Sequence, residues 1–190
     1  MSEFTDRHVL VTGASSGIGL ATARMLARQG ARVYLIARSE AKLAEAADAI
    51  ARDGGTAAFG VADVADRSAL MAAIDTASER GMPHNVAYVA SKHAVLGLAR
   101  AAAVEAAPHK VRVNCVLPGL IETPMLMQLD QTSSAQAIRD RLGAAVPMGR
   151  IGTAEELAEL VCFLLSDRAS HITAQTIAVD GGILGTLTPR

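Results

Sequence analysis

The chain has 190 residues, of which 51% are hydrophobic and 19% are charged, a composition typical of a globular protein with one core. A net charge of −1 and an aromatic content of 3% argue against binding to nucleic acid or to an anionic membrane surface. No apolar run approaches the ~18 residues of a membrane span, and the acidic start lacks the apolar core of a signal peptide. We therefore expect a single cytoplasmic domain, residues 1–190, that does not bind a membrane.

The cysteines and basic residues give further expectations. Cys115 and Cys162 lie in apolar runs, which predicts two buried free thiols. No cluster of Cys and His has the spacing of a zinc site, so we expect no metal. Arg far outnumbers Lys and Ala is abundant, which hints at a GC-rich bacterial genome.

Strands and helices alternate along the chain. The apolar run from His8 to Gly13 predicts a buried strand, after which the hydrophobic period becomes helical. Further strands are predicted at 31–38, 56–64, 111–119 and 173–182. Ser39 and Asp66 are expected to begin helices, and Thr153 with Glu156 has the pattern of a capping box. This alternation predicts an α/β fold, a Rossmann-like doubly wound parallel sheet.

Three helices have predicted apolar faces. The residues expected to be buried are Ile18, Ala21, Met25 and Leu26 in the first, Leu43, Ala46, Ala47 and Ile50 in the second, and Leu157, Leu160, Val161, Leu164 and Leu165 in the last. Residues 124–150 form a long connection that is a candidate cover over a site. Met125, Leu126, Met127 and Leu129 in it would form either an apolar wall of that site or ordinary core packing.

A glycine-rich turn follows the first predicted strand. Gly13 would permit a tight turn, Gly17 would let the backbone approach a pyrophosphate, and Gly19 would let helix and strand pack closely. The start of the following helix offers free N–H groups to phosphate oxygens. The pattern predicts a dinucleotide site, and the alternative is a purely structural turn.

The end of the second strand carries Arg38 where an NAD site usually has an acid. A guanidinium there can accommodate a 2′-phosphate, so NADP(H) is favoured over NAD(H), and the alternative is a solvated arginine. Asp63, after the third strand, would either hydrogen-bond an adenine amino group or cap a turn.

Tyr88 and Lys92 are four residues apart in a predicted helix and would share one face. A nearby ammonium favours the phenolate and lowers the phenol pKa from about 10, which would let Tyr88 exchange protons near neutral pH. On their own, the two could equally be ordinary helix residues.

Taken together, these segments resemble the short-chain dehydrogenase/reductase family. The matching segments are "TGASSGIG" at 12–19, "DV" at 63–64, "YVASK" at 88–92, "PGLIETPM" at 118–125, "GRIGTAEELAELVCFLLS" at 149–166 and "VDGG" at 179–182. The resemblance implies hydride transfer between a nicotinamide and a small-molecule carbonyl or alcohol (EC 1.1.1.-), with Tyr88 as acid/base and Lys92 as its partner and a ribose ligand. It also implies a homodimer or homotetramer. The implied cofactor contacts are Gly13, Ser15, Ser16, Gly17, Ile18, Gly19, Arg38, Ser39, Asp63, Val64, Tyr88, Lys92, Pro118, Gly119, Ile121 and Thr123.

One part of the family pattern is missing. Between the helix ending at Glu79 and the helix that holds Tyr88 there is no strand, which leaves the fold short of about two βα units, roughly 60 residues. We place the junction of this apparent deletion near 79–84. The segment that would carry the family's catalytic serine lies in the gap, and Thr76, Ser78 and Ser91 are poor substitutes. The alternative function is therefore an impaired protein that binds the cofactor or forms oligomers.

Overall fold

The computed structural model describes residues 3–61, 86–128 and 134–185, without the side chains of 86–91. The elements are β1 (His8–Thr12), α1 (Gly17–Arg28), β2 (Arg32–Ala37), α2 (Glu40–Arg52), β3 (Thr56–Val61), α3 (Val86–Ala106), β4 (Cys115–Pro118), α4 (Pro124–Met127), α5 (Ala135–Gly143), α6 (Ala154–Leu165) and β5 (Thr176–Val179). Short 3₁₀ turns lie at Ala107–His109, Asp167–Ala169 and Ile183–Gly185. The predicted helix at 66–79, the junction near 79–84, Asp63, Val64 and Leu129 lie outside the described residues.

The chain divides into two compact units. The first comprises residues up to 63, residues 117–169 and residues from 178 onward, and the second comprises 64–116 and 170–177. The single domain expected from the sequence stays a prediction.

The first unit is built on a parallel three-stranded sheet in the order β1-β2-β3. His8 pairs with Arg32, and Arg32 pairs with Thr56. Parallel strands require crossover connections, and α1 and α2 supply them. The predicted α/β fold with parallel strands is confirmed, and β1 and β2 each end one residue earlier than the sequence pattern suggested.

The core of the first unit lies between this sheet and its helices. Val33 and Leu35 of β2 are buried there against Leu26 of α1 and against Leu43 and Ile50 of α2. Of the predicted face of α2, Leu43, Ala46 and Ile50 are buried and Ala47 is half-buried against the same core. Burial of these aliphatic side chains stabilises the unit by about 1.5–3 kcal/mol each.

The predicted faces of α1 and α6 need correction. In α1 the buried residues are Thr22, Ala23, Leu26 and Ala27, whereas Ile18, Ala21 and Met25 are half-buried. In α6 Leu157 and Leu164 are buried, but Leu160 and Val161 are half-buried and Leu165 is exposed. The two helices pack against each other as well as against the core, so the buried stripe of each helix turns toward its small residues.

The opposite face of the sheet is exposed in the described part of the chain. Leu10, Tyr34 and Ala58 form one row across the three strands, and Leu10 and Tyr34 are 60% and 43% exposed. Parallel sheets normally have both faces covered. This surface is therefore unusual for a parallel sheet, and its polar row, His8 with Arg32 and Thr56, is exposed as well.

In the second unit the long helix α3 is followed by the approach to β4. The side chain of Asn114 donates to the Ile172 carbonyl (2.9 Å), and the backbone N–H of Cys115 donates to the Gln175 carbonyl (2.8 Å). β4 pairs with β5 in a two-stranded sheet. At the other end of this pair, the Gly119 N–H donates to the Val179 carbonyl. This bond and the bond from Cys115 to Gln175 join residues that are equally far apart in the sequence, so the two strands run parallel.

The two cysteines are free thiols. Cys162 is buried in the core of the first unit, and that burial raises its pKa to about 11. Cys115 is only half-buried, which corrects the expectation of full burial, and burial raises its pKa too, with an opposing contribution from Arg100.

Candidate functional site

The glycine loop, residues 13–19, connects β1 to α1. Gly13 and Gly17 have φ angles of +67° and +56°, in the left-handed region that side-chain-bearing residues rarely adopt. A Cβ atom on Gly19 would lie 2.5 Å from the carbonyl oxygen of Gly13. The loop therefore requires glycine at all three positions, for the tight turn at its start and for the close contact between its two ends.

The start of α1 is open to an anion. Ser16, the N-cap residue, has extended backbone geometry and makes no side-chain capping hydrogen bond. No acidic residue lies in the first turn of the helix. N–H groups at a helix start carry a partial positive charge, and here no carboxylate in that turn opposes it. The geometry fits the phosphate group of a dinucleotide.

The glycine loop runs beside the carboxyl end of β2. Ala14 is fully buried, and its N–H donates to the Ile36 carbonyl at 3.2 Å. Arg38 and Ser39 follow directly after β2, and Arg38 is exposed. The loop and the predicted 2′-phosphate residue therefore lie at the same edge of the sheet, where ligands bind in open α/β folds.

Thr123 is distant from the glycine loop in the sequence but packs beside it in the structure. It lies in the Thr123 loop, residues 119–123, which follows β4. Its Cγ2 atom is 3.3 Å from the position that a Cβ on Gly17 would occupy. Its hydroxyl oxygen accepts a hydrogen bond from the Leu126 N–H (3.3 Å) and so caps α4. Two segments predicted separately from the sequence thus meet within the first unit.

The other residues of the Thr123 loop are held by close contacts with Gly152 and Asp180. A Cβ on Gly119 would lie 2.5 Å from the Cα of Asp180, so only glycine fits. Ile121 is buried and forms a parallel bridge with Gly152. Pro118, the last residue of β4, is exposed.

One ion pair at this site was not predicted from the sequence. The guanidinium of Arg139, in α5, donates from Nε and Nη2 to the two carboxylate oxygens of Glu122 at 2.9 and 2.6 Å. The hydrogen bond from Arg139 lowers the pKa of Glu122, and the same bond raises the pKa of Arg139. No local sequence pattern could reveal it, because the partners lie 17 residues apart in different elements.

The predicted catalytic positions lie in the second unit. α3 runs from Val86 to Ala106 and includes both Tyr88 and Lys92. The side chains of Tyr88 and Ser91 are outside the described residues, and Lys92 is exposed. The catalytic roles of the pair therefore stay predictions.

In the predicted cover segment, Met125 is 78% exposed, whereas Leu126 and Met127 are half-buried. Core packing is thereby excluded for Met125. In the ranges 3–61, 86–128 and 134–185, no helix has both the length and the apolarity to cross a membrane. No group of three or more His, Cys, Asp and Glu side chains there is placed to hold a metal ion.

Comparison with known proteins assigns the chain to a family. The family model described as short chain dehydrogenase matches residues 7–81, and the model described as enoyl-(acyl carrier protein) reductase matches residues 74–184. The second match alone covers more than half of the chain. The chain belongs to the short-chain dehydrogenase/reductase family. The predicted class of NAD(P)(H)-dependent oxidoreductase is confirmed at the level of this family.

Two curated relatives illustrate the similarity. A protein of Streptomyces virginiae named for ketoacyl reduction in the monensin polyketide synthase is 33% identical over 258 residues, covering 96% of this chain and 99% of the relative. Cyclopentanol dehydrogenase of Comamonas is 32% identical over 250 residues, covering 96% and 98%. Both alignments are longer than the 190 residues of this chain.

Solved structures of short-chain dehydrogenases/reductases share the fold. A variant of actinorhodin polyketide ketoreductase with NADPH is 28% identical, with a TM-score of 0.80 and coverage of 93% of this chain and 97% of the other. Levodione reductase is 29% identical, also with a TM-score of 0.80, covering 94% and 98%. The Rossmann-like fold class predicted from the sequence is therefore confirmed.

Proposed function

We propose that this protein binds NADP(H) and catalyses hydride transfer between the nicotinamide and a small-molecule carbonyl or alcohol. The observation that carries the proposal is the meeting of the glycine loop with Thr123 at the open start of α1. A pyrophosphate would accept hydrogen bonds from the first N–H groups of α1. Thr123, together with Pro118, Gly119 and Ile121, would then border the nicotinamide.

NADP(H) is the cofactor that this chain favours. Arg38 follows β2, and the position where NAD sites usually have a carboxylate carries no acid. The exposed guanidinium of Arg38 could form a charge-assisted hydrogen bond with a 2′-phosphate. Ser39 lies beside it, and Asp63 would contact the adenine. Actinorhodin polyketide ketoreductase was solved with NADPH, which supports the preference.

The bound nicotinamide would supply or accept the hydride. In reduction, the Tyr88 phenol would donate its proton to the carbonyl oxygen of the substrate, and in oxidation the phenolate would take the hydroxyl proton. Lys92 would hold the phenol pKa below its usual value and bind the ribose hydroxyls. Both positions lie in α3, four residues apart.

The second candidate function is cofactor binding without efficient catalysis. The two family models meet at residues 74–81, beside the junction that the sequence suggests, and curated relatives align over more residues than this chain contains. These findings support a missing segment, which would include the catalytic serine. Loss of a group that polarises the carbonyl costs about 10²–10³ in rate at comparable sites.

The chain is also proposed to be a cytoplasmic homodimer or homotetramer. Val95 and Leu98 are exposed apolar residues on one side of α3, a surface that a second copy could cover. The free thiols of Cys115 and Cys162 fit a reducing compartment. Light scattering at several protein concentrations would give the oligomeric state.

The proposal is tested by NADPH consumption, followed at 340 nm with a panel of ketones. Tyr88→Phe removes the proposed proton donor and is expected to lower turnover by about 10²–10⁴. Tyr34→Phe is the matched control, because Tyr34 is the only other tyrosine of the chain and belongs to the exposed sheet face.

Unchanged turnover in Tyr88→Phe would refute the assigned role. Thermal protection of the native chain by NADP⁺ without any turnover would support the second candidate. Absence of both protection and turnover would eliminate both candidates.

A further inference from the structure

We propose that the Glu122–Arg139 ion pair is a positioning device that holds Thr123 against the glycine loop and so shapes the nicotinamide end of the cofactor site. This inference rests on the proposed function. It assigns a role to two residues that the sequence motifs left without one.

The backbone on the N-terminal side of Thr123 is firmly held. The Glu122 N–H donates to the Gly152 carbonyl (2.8 Å), and the Gly152 N–H donates to the Leu120 carbonyl (2.9 Å). Ile121, between these bonds, is buried. The backbone that leads into Thr123 is therefore anchored to residue 152, just before α6.

The Glu122 side chain connects this anchored segment to α5. The bond to Arg139 is bidentate, and the two side chains are only 34% and 39% exposed. A bidentate pair fixes the orientation of both groups, unlike a single contact between flexible side chains. The ion pair therefore links α5 directly to the Thr123 loop, in addition to the backbone hydrogen bonds at Gly152.

Thr123 directly follows Glu122 and lies beside the glycine loop. Its hydroxyl caps α4, and its Cγ2 packs where Gly17 leaves space. A displacement of residues 122–123 would break the cap and move the methyl group away from Gly17. The ion pair opposes that displacement, because moving the Glu122 backbone would strain or break both of its bonds to Arg139.

The test compares two ligands that share the adenosine end and differ at the nicotinamide. Binding of NADPH is measured from its own fluorescence, and binding of adenosine 2′,5′-bisphosphate is measured by calorimetry. Arg139→Met is expected to weaken NADPH binding about fivefold and to change bisphosphate binding less than about twofold. Glu122→Gln and the double variant are expected to behave alike, because the two residues act as one unit.

Arg150→Met is the matched control. Arg150 forms another bidentate pair in the described part of the first unit, with Glu156, at 2.9 and 2.6 Å. Arg150→Met is expected to leave the ratio of the NADPH affinity to the bisphosphate affinity unchanged.

Equal weakening of both ligands in Arg139→Met would overturn the inference, since it would indicate a general structural role. Unchanged NADPH binding in both Arg139→Met and Glu122→Gln would overturn it as well. Failure of the native chain to bind NADPH at all would instead overturn the proposed function, and the inference with it.

Discussion

Single glycines determine the geometry of the candidate site. The sequence pattern predicted that Gly19 allows close packing, and the structure gives the reason as contact with the Gly13 carbonyl oxygen. The partner of Gly17 could not be predicted, because Thr123 is distant in the sequence and the contact depends on the tertiary fold. The Glu122–Arg139 ion pair could not be predicted for the same reason. Local constraints were therefore predictable, and long-range contacts were not.

Gly19→Ala tests the first of these contacts. The added methyl group would lie 2.5 Å from a backbone oxygen, so the loop must shift. We expect a loss of about 1–3 kcal/mol in the free energy of unfolding and loss of NADPH binding. Urea unfolding and fluorescence titration measure the two effects.

Gly97→Ala is the control for that substitution. A Cβ at Gly97, in α3, would meet no neighbouring atom of the described residues within 4 Å. Alanine is the better helix former, so this variant is expected to gain up to about 1 kcal/mol. Equal behaviour of the two variants would contradict the packing role of Gly19.

At the scale of elements, the capping box of α6 was predictable in full, whereas Ser39 is the N-cap residue of α2 but makes no side-chain capping hydrogen bond. Thr153 and Glu156 form the predicted capping box at the start of α6, with both reciprocal hydrogen bonds. A capping box depends on residues three positions apart, so the sequence contains all of it. The buried stripe of α1 depends on its packing against α6, which the sequence of α1 does not contain.

Glu156 makes the stability of α6 depend on pH. Hydrogen bonds from Arg150 and from the Thr153 backbone lower its pKa from 4.5 to about 2. A carboxylate whose pKa is lower in the folded state makes its full contribution to the free energy of unfolding above its unfolded-state pKa. That contribution is lost as the pH falls toward the folded-state pKa. Stabilisation by Glu156 is therefore present at pH 7 and declines between about pH 4.5 and 2.

Both Glu156 and Arg150 are about half exposed, so solvent screening reduces the effect, and Glu156→Gln is expected to cost about 1 kcal/mol at pH 7, a fall of about 2–4 °C in Tm. The difference from the native chain should shrink in calorimetric scans at pH 3. Glu159→Gln, on an exposed position of the same helix, is expected to change Tm little at either pH. A pH-independent deficit in Glu156→Gln would show that its charge is unimportant.

At the scale of the molecule, the order of strands and helices was predictable from the change of hydrophobic period. The exposed face of the β1-β2-β3 sheet was predictable only in part. Loss of βα units leaves part of a parallel sheet uncovered, but the identity of the exposed surface, the row of Leu10, Tyr34 and Ala58, required the register of the three strands. Register is set by pairing across the sheet and by the connecting turns.

Two leucines on opposite faces of this sheet test whether the surface is free in solution. Leu10 is 60% exposed, whereas Leu35 is fully buried. Leu35→Ala is expected to cost about 2–5 kcal/mol, and Leu10→Ala about 0.5 kcal/mol or less, in urea unfolding. A similar cost for both would mean that another part of the chain or a second copy covers the face.

The raised pKa values of the two native thiols have a practical consequence. With a pKa of about 11, Cys162 has on the order of one thiolate in 10⁴ molecules at neutral pH, and burial also disfavours ionisation of Cys115. A cysteine introduced at an exposed position should therefore be alkylated well before either of them. Spin labels or fluorophores can thus be attached at chosen sites on both compact units, and the separation between the units can be measured spectroscopically in the otherwise unmodified protein.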